Sequence, residues 1–95
     1  MAERDHIVIA GGGRVGRRVA EDFVNRGTDV TIVERDGSRI DASDVDDRVT
    51  YLEGDATRPS MLRRAIRDET DVIGALTGDQ STNLAVCMAA KQLFP

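Results

Sequence analysis

The fold is decided by residues 6–16, HIVIAGGGRVG. The first five of these residues form a continuous run without polar alternation, which predicts a β-strand covered on both faces. Three glycines end the run. A helical pattern follows at residues 14–26, with Val15, Val19 and Phe23 spaced four residues apart on one apolar side and Ala20 and Val24 beside them. A buried strand, a glycine turn and an amphipathic helix therefore open the chain.

The remaining sequence alternates between short β-branched runs and longer helical patterns. Further strands are predicted at residues 30–34, 49–52 and 72–76, and further helices at residues 36–43, 59–66 and 79–93. Strands separated by helices of this length pair in parallel, through right-handed crossovers. The prediction is an α/β fold, a Rossmann-like doubly wound parallel sheet of four strands in the order 3-2-1-4 with helices on both faces. In the last helix, one side is formed by Leu84, Cys87, Met88 and Lys91.

The composition predicts one small globular domain over residues 1–95. With 13 Lys and Arg against 17 Asp and Glu, the net charge is −4, which excludes binding to nucleic acid by phosphate neutralisation. No apolar stretch approaches the roughly 18 residues of a membrane span, and the charged N-terminus does not resemble a signal peptide. Cys87 is the single cysteine, which excludes a disulfide framework and a cysteine metal site. We therefore expect a cytoplasmic protein without direct membrane insertion.

The glycine turn matches the pattern G-x-G-x-x-G at Gly11, Gly13 and Gly16. Because it follows a buried strand and opens a helix, it predicts a nucleotide-binding loop. Gly11 allows the tight turn, Gly13 lets a pyrophosphate approach the backbone, and Gly16 lets the helix pack against the strand. The alternative is a glycine turn that only packs the corner between strand and helix. The predicted loop consists of Gly11, Gly12, Gly13, Arg14, Val15 and Gly16.

Glu34 lies at the end of the second predicted strand, 18 residues after the last glycine of the pattern. A carboxylate here accepts hydrogen bonds from ribose hydroxyls and repels a 2′-phosphate, which favours NAD or ATP over NADP. Arg35 acts in the opposite direction, because a guanidinium is able to pair with a 2′-phosphate. The alternative for Glu34 is an exposed charge at the end of a strand.

Four segments resemble the nucleotide-binding domain of the potassium-transport regulators, the RCK or KTN family of the Trk and Ktr systems. They are IVIAGGGRVGRRVAEDF at 7–23, VTIVERD at 30–36, YLEGDATRPSMLRRA at 51–65 and DVIGALTGDQSTNLAVCMAAK at 71–91. The pair GDAT and LTGDQSTN distinguishes this family from other dinucleotide-binding folds. The resemblance implies a cytoplasmic domain that dimerises and gates a membrane potassium channel or transporter when NAD(H), ATP or ADP binds.

The resemblance also implies roles for residues that follow the strand ends. Arg14 would lie beside the phosphates, and Asp55 and Ala56 would flank the adenine. Thr77 and Asp79 would face the pyrophosphate.

Asn83 matches an asparagine in the first turn of the following helix. Simpler alternatives exist: Asp79 as a helix N-cap, Asp55 and Asn83 as residues that fix a loop, and Arg14 as a solvated side chain.

The family domain continues for two further strands, whereas this sequence stops at Pro95. We expect either a fragment of a longer protein or a minimal domain that another chain completes. The fourth strand would then be an unprotected sheet edge. We therefore expect a homodimer or higher oligomer with contacts from residues 72–76 and 84–94, held at the inner face of the membrane by a potassium-transport subunit.

No catalytic set is recognisable, and the chain is predicted not to be an enzyme. Tyr51 is followed four residues later by Asp55 instead of lysine, so the Tyr-x-x-x-Lys pair of short-chain dehydrogenases is missing. His6 lies at the N-terminal edge of the sheet, opposite to the predicted ligand side, and we expect it to be a packed or surface residue. Cys87 is expected to be a buried, inert thiol. The alternative function is the cofactor-binding half of an NAD-dependent dehydrogenase or epimerase.

Overall fold

Strands and helices alternate along residues 5–40 and 46–94, which the computed structural model describes. The strands are β1 (His6–Ala10), β2 (Asp29–Glu34), β3 (Val49–Glu53) and β4 (Thr70–Ala75). The helices are α1 (Arg14–Asn25), α2 (Pro59–Ala65) and α3 (Gln80–Leu93). None of the helices in this part of the chain has the length and apolarity that crossing a membrane requires.

The four strands form one parallel sheet in the order β3-β2-β1-β4, which confirms the predicted topology. β1 lies in the centre and is buried at all five residues. Its alternate side chains enter two separate cores: Val8 and Ala10 pack with α2 and α3, and Ile7 and Ile9 pack with α1. Burial on both faces explains why this strand lacks polar alternation.

The buried side of α1 departs from the predicted one only at the start of the helix, since Val19, Ala20, Phe23 and Val24 all pack in the predicted core. Gly16, Ala20 and Val24 face the sheet, whereas Val15 is 61% exposed. Gly16 must face the strand for close packing, and successive residues of an α-helix are rotated by about 100°. Val15 is therefore turned toward solvent, and its predicted place in the apolar face is wrong.

α3 begins after Asp79 and ends at Leu93, as predicted, but its buried side is formed by Val86 and Ala89. The side that contains Leu84 and Met88 faces outward, at 64% and 61% exposure. Cys87 is also exposed, so the expectation of a buried thiol is wrong. The helix has apolar residues on two sides, and the periodicity of its sequence does not show which side is buried.

The predicted helix at residues 36–43 is replaced by a 3-10 turn at Gly37–Arg39, and residues 41–45 lie outside the described part of the chain. Asp36 caps this turn: its Oδ1 accepts hydrogen bonds from Ser38 N at 3.0 Å and from Ser38 Oγ at 2.6 Å. This segment has few apolar side chains with which to hold a helix against the sheet.

His6 is fully buried at the N-terminal edge of the sheet, as one of its two predicted placements required. Its ring nitrogens hydrogen-bond Thr70 Oγ1 and Thr31 Oγ1, the latter from Nε2 at 2.8 Å. The Thr70 hydroxyl accepts a hydrogen bond from Arg67 N at 2.9 Å. Burial, followed by the charge of Arg67, lowers the pKa of His6. The histidine therefore links β1, β2 and β4 near their N-terminal ends, away from the C-terminal ends of the strands.

Candidate functional site

A cleft of about 450 Å³ lies at the C-terminal ends of the strands. Its size is within the range of small-molecule sites, about 300–1,000 Å³, and its position is where doubly wound sheets bind ligands. The cleft brings together eight of the predicted site residues: Gly11, Gly13, Glu34, Arg35, Asp55, Ala56, Thr77 and Asp79.

Gly11 forms the turn between β1 and the glycine loop. Its φ of +116° lies in the region that favours glycine, and its N–H donates to Val33 O at 2.9 Å. A Cβ here would also lie 2.9 Å from the carbonyl oxygen of Leu76, a backbone atom of the β4–α3 loop. Glycine is therefore required at this position for two independent reasons.

Gly13 and Gly16 stand at the start of α1. Gly13 is the N-cap and lines the cleft, and no side-chain oxygen caps the amides of the first turn of the helix. Gly16 is buried, and a Cβ there would overlap the carbonyl oxygen of Gly11. This contact confirms the close approach of helix and strand that the glycine pattern predicts.

Glu34 is only 6% exposed, so the alternative of an exposed strand-end charge is wrong. Oε1 accepts a hydrogen bond from Gly12 N and Oε2 accepts one from Asp36 N, both at 2.7 Å. A carboxylate offers about four acceptor positions. Glu34 therefore holds two backbone amides and keeps acceptor capacity toward the cleft that it lines.

Asp55 lines the cleft and fixes the turn after β3. Its Oδ1 accepts hydrogen bonds from Thr57 N at 2.9 Å and Thr57 Oγ1 at 2.6 Å. These two hydrogen bonds are the main reason why the pKa of Asp55 is lowered. The carboxylate therefore stays ionised at the rim of the cleft, beside the buried Ala56.

The β4–α3 loop is held by Asn83 and Asp79. Asn83 Oδ1 accepts hydrogen bonds from Thr77 N at 3.0 Å and Thr77 Oγ1 at 2.6 Å, and Asn83 Nδ2 donates to Thr77 O at 3.1 Å. Asp79 Oδ2 accepts hydrogen bonds from Thr82 N at 2.9 Å and Thr82 Oγ1 at 2.6 Å, and both lower the pKa of Asp79. Thr77 and Asp79 line the cleft, whereas Asn83 acts from behind the loop.

Five predicted residues do not line the cleft: Gly12, Arg14, Val15, Gly16 and Asn83. Arg14 and Val15 are exposed, as the solvated alternative for Arg14 required. The sequence analysis missed seven lining residues: Val33, Asp36, Gly54, Leu76, Gly78, Thr82 and Val86. Six of these are directly adjacent in sequence to a predicted site residue, so the positions of the predicted residues were the signal. Val86 is a core residue of α3 and gave no such signal.

No group of three potential metal ligands occurs in residues 5–40 and 46–94.

Tyr51 does not line the cleft but packs against the core under α1, and burial raises the pKa of its hydroxyl group.

The family described as the TrkA-N domain matches residues 7–95. The chain is 36% identical, over 88 residues, to the "Trk system potassium uptake protein TrkA" of Mycobacterium tuberculosis. It is 38% identical, over 92 residues, to the "Trk system potassium uptake protein TrkA homolog" of Pyrococcus abyssi. These alignments cover 93% and 95% of the chain but only 40% of each relative's length.

Solved structures show the same fold at low sequence identity. The NAD(P)-binding domain of an exopolyphosphatase-related protein from Archaeoglobus fulgidus superposes with a TM-score of 0.77 at 20% identity, covering 95% of this chain and 66% of that one. An epimerase from Methanothermobacter thermautotrophicus superposes with a TM-score of 0.72 at 16% identity, covering 97% and 33%. A short-chain dehydrogenase/reductase from Veillonella parvula in complex with NADP gives 0.67 at 21% identity, covering 95% and 43%.

Proposed function

Because the chain belongs to the TrkA-N domain family, we propose that it is a regulatory domain of a potassium uptake system and that its cleft binds NAD(H). The relatives of known name are potassium uptake proteins of the Trk system. The nucleotide, once bound, would shift the balance between conformations of an attached transport protein and so gate it.

The observation that supports a nucleotide ligand is the joint placement of Gly13 and Glu34 in one cleft. The uncapped start of α1 behind Gly13 suits a pyrophosphate, and the buried carboxylate of Glu34 suits ribose hydroxyls. Asp55 and Ala56 would flank the adenine, and Thr77 and Asp79 would face the phosphates across the cleft. ATP and ADP carry the same groups and are further candidate ligands.

A binding role is favoured over catalysis. The alternative, the cofactor-binding half of a dehydrogenase or epimerase, is supported only by structures whose low identity establishes the fold and not the activity. Reduction of a carbonyl needs a proton donor beside the cofactor. Tyr51 does not line the cleft. We therefore expect no turnover of NADH by this chain with small carbonyl substrates.

The proposed setting is the cytoplasmic side of the membrane, beside a potassium-transport subunit. β4 is an edge strand with Val72 54% exposed, and the outward side of α3 exposes Leu84 and Met88. The pairing of β4 with β1 shifts register between Thr70 and Val72, but from Val72 to Ala75 the edge is regular and has no lysine or proline. An edge of this kind favours pairing with another chain. We propose that the protein is a homodimer or higher oligomer through β4 and α3.

Isothermal titration with NAD⁺, NADH, NADPH, ATP and ADP tests the proposed function. We expect NADH to bind at least about tenfold more tightly than NADPH, since Glu34 would face the 2′-phosphate. Gly13→Val should abolish nucleotide binding by filling the approach to the helix amides. Gly13 has φ −75° and ψ −169°, which valine adopts without strain, so this variant should stay folded.

Gly74→Ala is the matched control, because a Cβ at Gly74 meets no atom within 4 Å and Gly74 does not line the cleft. Equal binding of nucleotide by the Gly13→Val protein and the control would contradict the proposed site. In the source organism, Gly13→Val should also change the rate of rubidium uptake, whereas Glu21→Gln, at an exposed residue of α1 outside the cleft, should not.

A further inference from the structure

The carboxylate of Glu34 connects two loops that border the cleft. Its two oxygens accept backbone hydrogen bonds at 2.7 Å from Gly12, in the glycine loop, and from Asp36, after β2. Both are charge-assisted hydrogen bonds, which are about twice as strong as neutral ones. Glu34 is nearly buried, so water competes little for them.

Gly12 itself does not line the cleft, but its neighbours Gly11 and Gly13 do. The hydrogen bond from Gly12 N to Glu34 therefore acts on the part of the loop that lies behind the ligand-facing glycines. The packing here is close: a Cβ at Gly12 would lie 3.1 Å from Glu34 Cβ and 3.3 Å from Oε1. Movement of the Glu34 side chain would therefore move the glycine loop.

We propose that Glu34 is a positioning residue for the phosphate-binding loop, in addition to any contact with ribose. This inference rests on the proposed nucleotide site. If Glu34 positions the loop, removing its carboxylate must weaken the binding of a nucleotide that has no ribose hydroxyls. If Glu34 only bound ribose, removing its carboxylate would not affect the binding of such a nucleotide.

Glu34→Gln is the informative variant, because it keeps the length of the side chain. In the wild type, each carboxylate oxygen of Glu34 accepts a hydrogen bond from a backbone N–H group. A glutamine amide replaces one of these oxygens by an NH₂ group, which donates and does not accept. One of the two loops must therefore lose its hydrogen bond. Glu21→Gln is the matched control, since Glu21 is an exposed residue of α1 and the substitution removes the same charge.

The experiment compares ADP with 2′,3′-dideoxy-ADP by isothermal titration on the wild type and both variants. We expect Glu34→Gln to weaken the binding of dideoxy-ADP by about tenfold or more, the equivalent of one lost charged hydrogen bond. Glu21→Gln should bind dideoxy-ADP like the wild type. Equal affinity of wild type and Glu34→Gln for dideoxy-ADP, with a difference for ADP alone, would overturn the inference and leave the proposed function intact.

Amide hydrogen exchange of Gly12 in the ligand-free protein gives a second, nucleotide-independent measurement. Exchange should become at least about tenfold faster in Glu34→Gln, and an unchanged rate would overturn the inference. If the wild type bound neither ADP nor NAD(H), the proposed function would fail, and this exchange rate would still decide whether Glu34 holds the loop.

Gly12→Ala provides an independent variant that keeps the carboxylate and disturbs the same contact. Its effect on dideoxy-ADP binding should not add to that of Glu34→Gln in the double variant, because both act on one hydrogen bond. Full additivity would overturn the inference.

Discussion

Substitution of Gly16 by alanine tests how tightly the glycine loop is packed. The new Cβ would overlap the carbonyl oxygen of Gly11 and lie 3.1 Å from its carbonyl carbon. Both atoms belong to the backbone, and Gly11 is itself held against Val33 and the β4–α3 loop. The overlap is therefore relieved only if α1 moves away from the end of β1.

The magnitude follows from two opposing effects. Overpacking costs about 1–3 kcal/mol, and the upper end applies here because no flexible side chain is able to yield. Alanine is a better helix former than glycine by about 1 kcal/mol. The free energy of unfolding should therefore fall by about 2 kcal/mol, which lowers the midpoint of thermal unfolding of a chain of this size by about 8–16 °C.

Thermal unfolding followed by far-UV circular dichroism measures this effect, with Gly74→Ala as the control. Gly74 is also a glycine of a regular element, and a Cβ there meets no atom within 4 Å. The control should unfold at the wild-type temperature or slightly above it, because alanine restricts the unfolded chain. If Gly16→Ala and Gly74→Ala unfolded at the same temperature, the close contact between α1 and Gly11 would not exist as described.

Three further predictions concern assembly, the N-terminal sheet edge and the β4–α3 loop. Light scattering at micromolar concentration should show a dimer or larger species, and a clean monomer whose β4 amides exchange slowly would contradict the proposed interface. Folding lowers the pKa of His6 from its ordinary value of 6.5, so the unfolded chain binds the proton more readily and the free energy of unfolding should fall as the pH drops below 6.5. Urea unfolding should show that His6→Gln loses less stability than the wild type over this pH range, and an equal loss would refute the contribution of His6 to the pH dependence. Asn83→Ala removes three hydrogen bonds to Thr77 and should lower the free energy of unfolding by about 1–3 kcal/mol and weaken nucleotide binding, while Gln92→Ala on the exposed end of α3 should do neither.

The strand order could be predicted because it depends on features that are local in sequence. Continuous apolarity in β1 follows from its central position, and the glycine pattern follows from one tight turn and one close contact, at Gly11 and Gly16. Neither feature requires knowledge of a distant residue. The buried side of α3 could not be predicted in the same way, because this helix has apolar residues on more than one side. The exposure of Val15 at the start of α1 could not be predicted either, because it is set by Gly16, whose missing side chain makes no contribution to an apolar pattern.

The candidate site shows a similar division between position and contact. The spacing from the glycine loop predicted where Glu34 lies but not that its carboxylate accepts hydrogen bonds from Gly12 and Asp36. The contact with Gly12 joins segments that are 22 residues apart in the chain. In both contacts the carboxylate is bound by a backbone amide, which every residue except proline possesses. No residue type in the sequence marks them.

For Asp55, Asp79 and Asn83 the sequence posed a choice between binding a ligand and fixing a loop or a helix start. The number of acceptor positions bears on this choice differently for a carboxylate and for an amide. Each carboxylate has about four acceptor positions and uses two of them in the contacts described above, so it is able to hold its own loop and still face the cleft. The amide oxygen of Asn83 has two, and Thr77 occupies both. Asn83 does not line the cleft, so it acts on a ligand through the loop that it holds, and Asn83→Ala should weaken all nucleotides alike. Loss of Glu34 should instead change the preference between nucleotides with and without ribose hydroxyls as well as the overall affinity.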